Sequence, residues 1–336
     1  MRRLWYHILH SLLPWGALGL HGVVFVIYAR RWDKLAALTI FPFWSWGLLG
    51  LGMAGMAWVL TKQRLALAVA GLWLVTIVVF SDETRPLLRS WAANPEPGPA
   101  ALSRDGRRVR RVVTLNCKAG FFNPAAVREV IPWQPDVVLF QETPSVQVLQ
   151  KLAQEMYGGL ATEHAAGNQE CGIITRGLIR NSVQGNLPNS LSALIQFQDG
   201  TELMVASVHL SAAETDVRLY TREALYKHAV NRVTRRAEMQ RLLAAQVLLN
   251  GQRPALIGGD FNAPAGDAVF RLLSSAGFTD AVAAVGAGWP NTYPNQAPLL
   301  RIDHQWSNPR LQPVRARVVK SQYSDHRMVI CDYVVN

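Results

Sequence analysis

Acidic, amide and imidazole side chains recur in this sequence at the ends of short apolar segments or in the loops beside them. The clearest case is LIGGDFNAP, residues 256 to 264, where an apolar run and two glycines lead directly into an acid and an amide. Taken singly, an Asn or Asp after a strand is usually a turn residue. The whole set is Asn116, Glu142, His209, Asp260, Asn262, Asp303, Asp325 and His326.

Oxygen-bearing side chains in this set suit a hard divalent cation. Mg²⁺ prefers one or two carboxylates together with water and phosphate oxygens, and Mn²⁺ or Ca²⁺ are the alternatives. Zinc fits poorly, because the three cysteines Cys117, Cys171 and Cys331 have no C-x-x-C spacing and the histidines are scattered. The oxygen donors expected near the ion are Asn116, Glu142, Asp260, Asn262 and Asp303.

Two histidines add proton transfer to this chemistry. A bound ion polarises a phosphoryl oxygen while an imidazole moves protons, which together indicate phosphoryl transfer. His209 ends the segment LMVASVH, and His326 directly follows Asp325. From these residues alone, Asp325 is a candidate carboxylate partner for the His326 imidazole. His164 and His228 are expected to be structural.

The elements that must position these residues are short strands alternating with helices. β-branched and apolar runs predict strands at 109–117, 135–142, 171–176, 192–198 and 203–210, and helices are predicted near 123–131, 146–156, 218–250 and 267–276. This order favours two packed sheets, or one curved sheet, with helices outside. Sites in open α/β sheets form at the carboxyl ends of strands, where most of the polar residues fall.

Six short motifs in order resemble the endonuclease/exonuclease/phosphatase superfamily, which has the fold of deoxyribonuclease I. They are LN (115–116), DVVLFQE (136–142), SVHLS (207–211), GGDFNAP (258–264), RIDH (301–304) and SDH (324–326). The resemblance covers about residues 110 to 335. It implies an α+β domain at 109–336, built as a four-layer α/β/β/α sandwich of the deoxyribonuclease I-like type.

The resemblance also implies a metal side to the site. Glu142, with help from Asn116, holds the divalent ion. Asp325 becomes a metal-side or phosphate-side residue. The pairing of Asp325 with His326 is thereby put in question, because neighbouring side chains on a strand point apart.

The resemblance assigns the remaining residues to catalysis. Asp260 positions or deprotonates the attacking water, and Asn262 contacts the phosphate. His326 works with a carboxylate, which the resemblance places at Asp303. His209 contacts the phosphate or acts as a general acid, and a histidine at this position argues against an exonuclease III type of base-excision enzyme.

The first ninety residues are of a different kind. No charged residue occurs at 4–29, 35–61 or 65–81, and such runs predict about three transmembrane helices near 12–29, 37–60 and 65–81. The protein is therefore expected to be an integral membrane protein, of the bacterial inner membrane if it follows the bacterial members it resembles. Lys and Arg are nearly balanced between the two sides, so the side of the catalytic domain stays open. A linker rich in Pro, Gly and Arg is predicted at 91–108.

These features predict a membrane-anchored, metal-dependent phosphoesterase. After residue 100 the sequence has 25 Lys plus Arg and 19 Asp plus Glu, and this surplus of +6 favours an anionic substrate. The leading expectation is an endonuclease-type enzyme acting on a phosphodiester, either nucleic acid or a phospholipid head group, with membrane lipid as a further partner. Two alternatives stay open: a phosphodiesterase or phosphatase for phospholipids or inositol phosphates, and a non-catalytic binding module. No protein partner follows from the sequence.

Overall fold

A computed structural model describes residues 2–92, 103–104, 107–120, 124–168, 170–184, 189–212, 218, 220–250 and 253–336. Most of the predicted linker at 91–108, including Asn94 to Gly98, lies outside these described residues. Backbone contacts divide the chain into two units. One contains Met1–Thr84 and Thr215–Val230, and the other contains Arg85–Glu214 and Asn231–Asn336. The domain limits predicted at residues 90 and 109 stay predictions.

The N-terminal part of the first unit is helical. It contains α1 (Arg2–Arg30), a 3-10 helix (Asp33–Thr39), α2 (Phe43–Thr61) and α3 (Arg64–Phe80). In α1 and α2, the stretches Leu12–Arg30 and Phe43–Thr61 are each 19 residues long and apolar enough to cross a membrane. Helices α2 and α3 approach closely, since a Cβ at Gly50 would lie 2.0 Å from the Trp73 indole.

The helices α2 and α3 differ in bounds or length from the second and third predicted spans, and whether they cross a membrane stays a prediction. Helix α2 begins at Phe43 rather than near residue 37, because Pro42 is extended and the preceding residues form the 3-10 helix. Helix α3 has 17 residues, about 26 Å at 1.5 Å per residue, which is less than a hydrocarbon core of about 30 Å. It counts as a third candidate only when joined to residues 84–91, across a bend of 78°.

The remaining elements alternate as the sequence predicts, with a 3-10 helix (Ala126–Trp133) in place of the helix expected near 123–131. The helices are α4 (Thr84–Ala92), α5 (Val146–Tyr157), α6 (Ala161–His164), α7 (Arg222–Asn250), α8 (Val269–Ser275) and α9 (Ala281–Val285). The strands are β1 (Ser103–Arg104), β2 (Arg107–Asn116), β3 (Val137–Gln141), β4 (Ala165–Gly167), β5 (Cys171–Thr175), β6 (Leu178–Gln184), β7 (Ser190–Gln196), β8 (Glu202–His209), β9 (Ala255–Asp260), β10 (Thr279–Asp280), β11 (Asp303–Ser307), β12 (Leu311–Val319) and β13 (Met328–Val335).

The described strands form two mixed sheets. The first has the order β12-β13-β2-β3-β5-β4, with β1 paired to β2, and the second has the order β10-β11-β9-β8-β7-β6. In each sheet one pair is parallel, β2 with β3 and β8 with β9, and the other pairs are antiparallel. The ends of these two parallel pairs carry most of the predicted site residues.

Apolar side chains pack these elements into four layers. Leu139 and Ile173 of the first sheet pack between the sheets against residues of the second sheet such as Leu256. On the outer face of the first sheet lie α5 and the 3-10 helix at 126–133, and on that of the second lie α7 and α8. The predicted α/β/β/α sandwich is confirmed.

The register of the second sheet places three predicted residues side by side. His209 at the end of β8 is opposite Asp260 at the end of β9, and Asp260 is opposite Asp303 at the start of β11. Close strand approach requires glycine before the acid. Gly259 has φ 144°, and a Cβ there would lie 2.1 Å from the Val208 carbonyl oxygen.

Candidate active site

Two side chains at this end of the sandwich belong to residues whose backbone has an unusual, positive φ. Glu142 and Asn262 each have φ of 49°, in the left-handed region that costs residues other than glycine about 1–3 kcal/mol. The Glu142 backbone is held there, since its N–H donates to the Glu170 carbonyl at 2.8 Å and its own carbonyl accepts from Gly120 at 2.8 Å. Such stored strain is typical of residues that must present a side chain in one direction.

The side-chain amide of Asn116 joins the two sheets at the site. Its Nδ2 donates to Glu142 Oε1 and to Asp260 Oδ2, both at 3.0 Å. Its Oδ1 accepts the Lys118 N–H at 2.9 Å, which sets the orientation of the amide. Asn116 therefore presents its NH₂ group to both carboxylates, and its predicted role as a ligand through the carbonyl oxygen stays a prediction.

His326 is paired with Asp303, one of the two carboxylates considered from the sequence. The His326 Nδ1 lies 3.0 Å from Asp303 Oδ2, and both residues are buried. Burial lowers the pKa of the His326 imidazole, but the carboxylates of Asp303, Asp260 and Asp325 outweigh it and raise the pKa to about 10. An imidazole in this arrangement has its orientation fixed by the carboxylate and its proton stabilised.

Asp260 lies between two imidazoles. The Nε2 atoms of His209 and His326 are each 3.9 Å from the same Asp260 Oδ2. Its other oxygen, Oδ1, accepts the Asn262 N–H at 2.8 Å. Burial raises the pKa of Asp260, the neighbouring Asp303 adds to this, and the two histidines oppose it. The gaps of 3.9 Å exceed hydrogen-bond distance and leave the three groups facing one another across a small space.

Glu170 belongs to the site although the sequence did not predict it. Its Oε2 lies 3.0 Å from His209 Nδ1, so His209 also has a carboxylate partner. The turn before β5 holds Glu170 in place, because Asn168 Oδ1 accepts the N–H groups of Glu170 and Cys171 at 3.0 and 2.6 Å. A polar residue directly before the CGIIT strand was the available signal, but nothing in the sequence linked it to a residue 39 positions away.

Glu170→Gln is expected to lower kcat by about tenfold or more, less than the 10²–10⁴-fold typical of losing a proton-transfer group itself. The amide can still accept from His209 Nδ1, but it cannot stabilise the imidazolium by charge. Steady-state kinetics on a phosphodiester would measure this, with Glu202→Gln as the matched control. Glu202 is a similarly exposed carboxylate at the other end of β8, paired with Arg253 at 3.2 Å. Equal losses in the two variants would contradict a specific role for Glu170.

Asn262 is held by the end of β8 and, through it, by α7. The Asn262 Nδ2 donates to the Leu210 carbonyl at 2.9 Å. The next residue, Ser211, donates to Glu238 of α7 from its N–H at 3.0 Å and from its hydroxyl at 2.5 Å. Glu238 also accepts from Asn189 Nδ2 at 3.3 Å. This network positions Leu210 and Ser211, which directly follow His209.

Asp325 lies at the rim rather than beside the His326 imidazole. Its carboxylate is 3.8 Å from Lys118 Nζ, and both side chains are more than one third exposed. The pairing of Asp325 with His326 considered from the residues alone is therefore wrong. Its assignment as a metal-side or phosphate-side residue stays a prediction.

The residues present fit a divalent cation at Glu142. Its carboxylate is 33% exposed. Oε1 accepts from Asn116 and Oε2 accepts the Ala119 N–H at 2.6 Å. Each carboxylate oxygen can accept more than one bond, so both can still bind an ion that keeps several waters. A second group, Asp260, Asp303 and His326, also has donor atoms within 4.8 Å of one another. The hydrogen bond between Asp303 and His326 uses Asp303 Oδ2, whereas Asp303 Oδ1 is buried without a hydrogen-bond partner among the described residues, so this group is a second candidate position for an ion.

The fold and the site together define a class of protein, an α/β/β/α sandwich with paired carboxylates and histidines at the strand ends. A family model described as the endonuclease/exonuclease/phosphatase family matches residues 113–326. The chain belongs to this family. A comparison with curated proteins gave no match.

Solved structures support the same fold. An endonuclease/exonuclease/phosphatase from Bacteroides vulgatus is 16% identical, with 68% of this chain and 100% of that chain covered at a TM-score of 0.52. An endonuclease/exonuclease/phosphatase family protein from Bacteroides thetaiotaomicron is also 16% identical, with 68% of this chain and 99% of that chain covered at a TM-score of 0.52. The beta toxin of Staphylococcus aureus is 15% identical, with 66% and 99% covered and a TM-score of 0.52. At these identities the likeness concerns the fold alone.

Proposed function

We propose that this protein is a membrane-anchored, divalent-metal-dependent phosphoesterase that hydrolyses a phosphodiester by attack of water, in the manner of an endonuclease. The observation that carries the proposal is the arrangement of His209 and His326 on either side of Asp260, each backed by its own carboxylate. Anchoring is supported by the two apolar helical stretches of 19 residues, Leu12–Arg30 and Phe43–Thr61. Family membership supports a hydrolase of this general kind.

Each residue has a distinct task in the proposed reaction. Glu142 would hold the cation, which when bound supplies Lewis-acid polarisation of a phosphoryl oxygen. Asp260 orients the attacking water and accepts its proton, because its buried carboxylate has a raised pKa. His326 holds a proton at Nε2, supported by Asp303 at Nδ1, and donates a hydrogen bond to a phosphate oxygen.

The other two residues act on the same phosphate. His209 Nε2 faces Glu142 Oε1 and Asp260 Oδ2, both at 3.9 Å, and is placed to protonate the leaving oxygen. Asn262 contacts the phosphate through its amide, positioned by the Leu210 carbonyl. A non-catalytic binding module is disfavoured, because acid, base and cation-binding groups are all present in one place.

A phospholipid or inositol-phosphate substrate is the second candidate. The apolar helices favour it, since an enzyme anchored in a membrane has lipid head groups at high local concentration. The basic composition supports either substrate, because both are anionic.

The proposal is tested with the full chain purified in detergent. Bis-p-nitrophenyl phosphate, plasmid DNA, sphingomyelin and inositol phosphates are supplied with Mg²⁺, Mn²⁺, Ca²⁺ or EDTA. We expect hydrolysis of the phosphodiester with a divalent ion, and its loss in EDTA. Activity that persists in EDTA would refute the mechanism. Cleavage of lipid without cleavage of DNA would transfer the proposal to the second candidate.

A further inference from the structure

Helix α4 exposes apolar side chains that a helix of a soluble domain would bury. Leu88 is 53% exposed and Trp91 is 85% exposed. They stand three residues apart and share one face of the helix, flanked by the exposed Arg85. A soluble helix turns its apolar stripe towards the protein core. The outward face of α4, defined by Leu88 and Trp91, therefore needs an apolar partner.

The opposite face of α4 is bound through an arginine to the remainder of the catalytic unit, which comprises Arg85–Glu214 and Asn231–Asn336. Arg89 Nε donates to the Gly286 carbonyl at 2.7 Å, and Nη2 donates to the Ala283 and Val282 carbonyls at 2.9 and 3.2 Å. These carbonyls lie in α9 and at its C-cap Gly286, the end of a helix at which a cation is favoured. The Pro86 carbonyl accepts the Gly288 N–H at 3.0 Å.

The place of α4 in the chain identifies the apolar partner. The helix begins four residues after Phe80, the last residue of the apolar helix α3, and the two helices are bent by 78°. Trp and Arg are the residues typical of the boundary between membrane and water. A continuation of the span through α4 would carry Arg89 into hydrocarbon, whereas Arg89 instead binds the carbonyls of α9.

We propose that α4 is an interfacial helix, with Leu88 and Trp91 inserted in the lipid head-group boundary and Arg89 holding the catalytic unit on its other face. The inference rests on the proposed membrane anchoring. It adds that the catalytic unit is joined to the bilayer surface by a short folded element, in addition to the linker at 91–108. The partner is lipid, not a second copy of the chain.

Fluorescence quenching by lipid tests the inference on the full chain in phosphatidylcholine and phosphatidylglycerol vesicles with brominated acyl chains. The three native cysteines are buried, so single exposed cysteines can be labelled selectively. Leu88→Cys and Trp91→Cys report on α4, Val79→Cys on the exposed surface of α3, and Gln147→Cys on the exposed surface of α5. We expect quenching of at least about twofold at 88 and 91, because an interfacial helix buries its apolar face about 5–10 Å deep.

The reference positions separate the possible failures. If the dye at position 79 is quenched and the dyes at 88, 91 and 147 are not, the interfacial role of α4 is overturned and the anchoring is left intact. Absence of quenching at 79 as well would overturn the proposed anchoring itself. A polarity shift of the dye at 88 and 91 without lipid quenching, together with cross-linking between copies, would identify the face as a protein interface and also overturn the inference.

Discussion

His326→Ala is expected to lower kcat for a phosphodiester by about 10²–10⁴-fold, the range typical of a positioned proton-transfer group. The imidazole is buried, its Nδ1 is bound to Asp303 at 3.0 Å, and its Nε2 faces Asp260 at 3.9 Å. Among the described residues, no other side chain hydrogen-bonds to the Asp303 carboxylate and could replace the imidazole. Steady-state kinetics with saturating Mg²⁺ would measure the loss, and KM is expected to change much less than kcat.

His164→Ala is the matched control for His326→Ala. His164 is also buried and is held through Nδ1 by the carbonyls of Thr175 and Gly177, at 3.1 and 2.9 Å. These residues lie at the other end of β5 from Glu170, so its loss is expected to lower stability without affecting kcat. Thermal denaturation of both variants separates unfolding from catalysis. A fully active, folded His326→Ala protein would exclude the proposed mechanism.

Glu142→Gln is expected to weaken activation by Mg²⁺ by at least about 10–100-fold, the loss typical even of a residue one shell beyond the ion. The substitution keeps the shape of the side chain but removes the charge that binds a hard cation. In the unsubstituted protein, Asn116 Nδ2 and the Ala119 N–H donate to the two Glu142 carboxylate oxygens. The substitution places an amide beside these two donors. The half-maximal Mg²⁺ concentration for activity and direct calorimetric binding of Mg²⁺ would both report it.

Glu155→Gln controls for the loss of a charge. Glu155 is an exposed carboxylate of α5, paired with Arg128 at 2.6 Å, and its substitution is expected to leave Mg²⁺ activation unchanged. Equal Mg²⁺ dependence in Glu142→Gln and the unsubstituted protein would place the ion elsewhere. The group formed by Asp260, Asp303 and His326 would then be the next position to test.

Much of the fold was predictable because its signals are local. Short β-branched runs bounded by turn residues correctly predicted the strands β2, β3, β5, β7 and β8, and the six ordered motifs predicted the family and its four-layer fold. The helix boundaries were less accurate. Pro42 delays the start of α2 to Phe43, later than the composition of the second apolar run indicates, and α3 ends at Phe80 because Ser81 follows it in an extended conformation.

The sequence by itself determined which residue types stand at the strand ends and in what order, since period, propensity and motif are properties of neighbouring residues. Only the tertiary structure decided which of them meet. Strand register places His209, Asp260 and Asp303 abreast, and a turn at Asn168 brings Glu170 to His209. The pairing of His326 with Asp303, which the family resemblance implied, is present in the structure, and Asp325 does not take that place. These contacts join residues far apart in the chain, so they depend on the register between strands and the packing of two sheets, which no local pattern specifies.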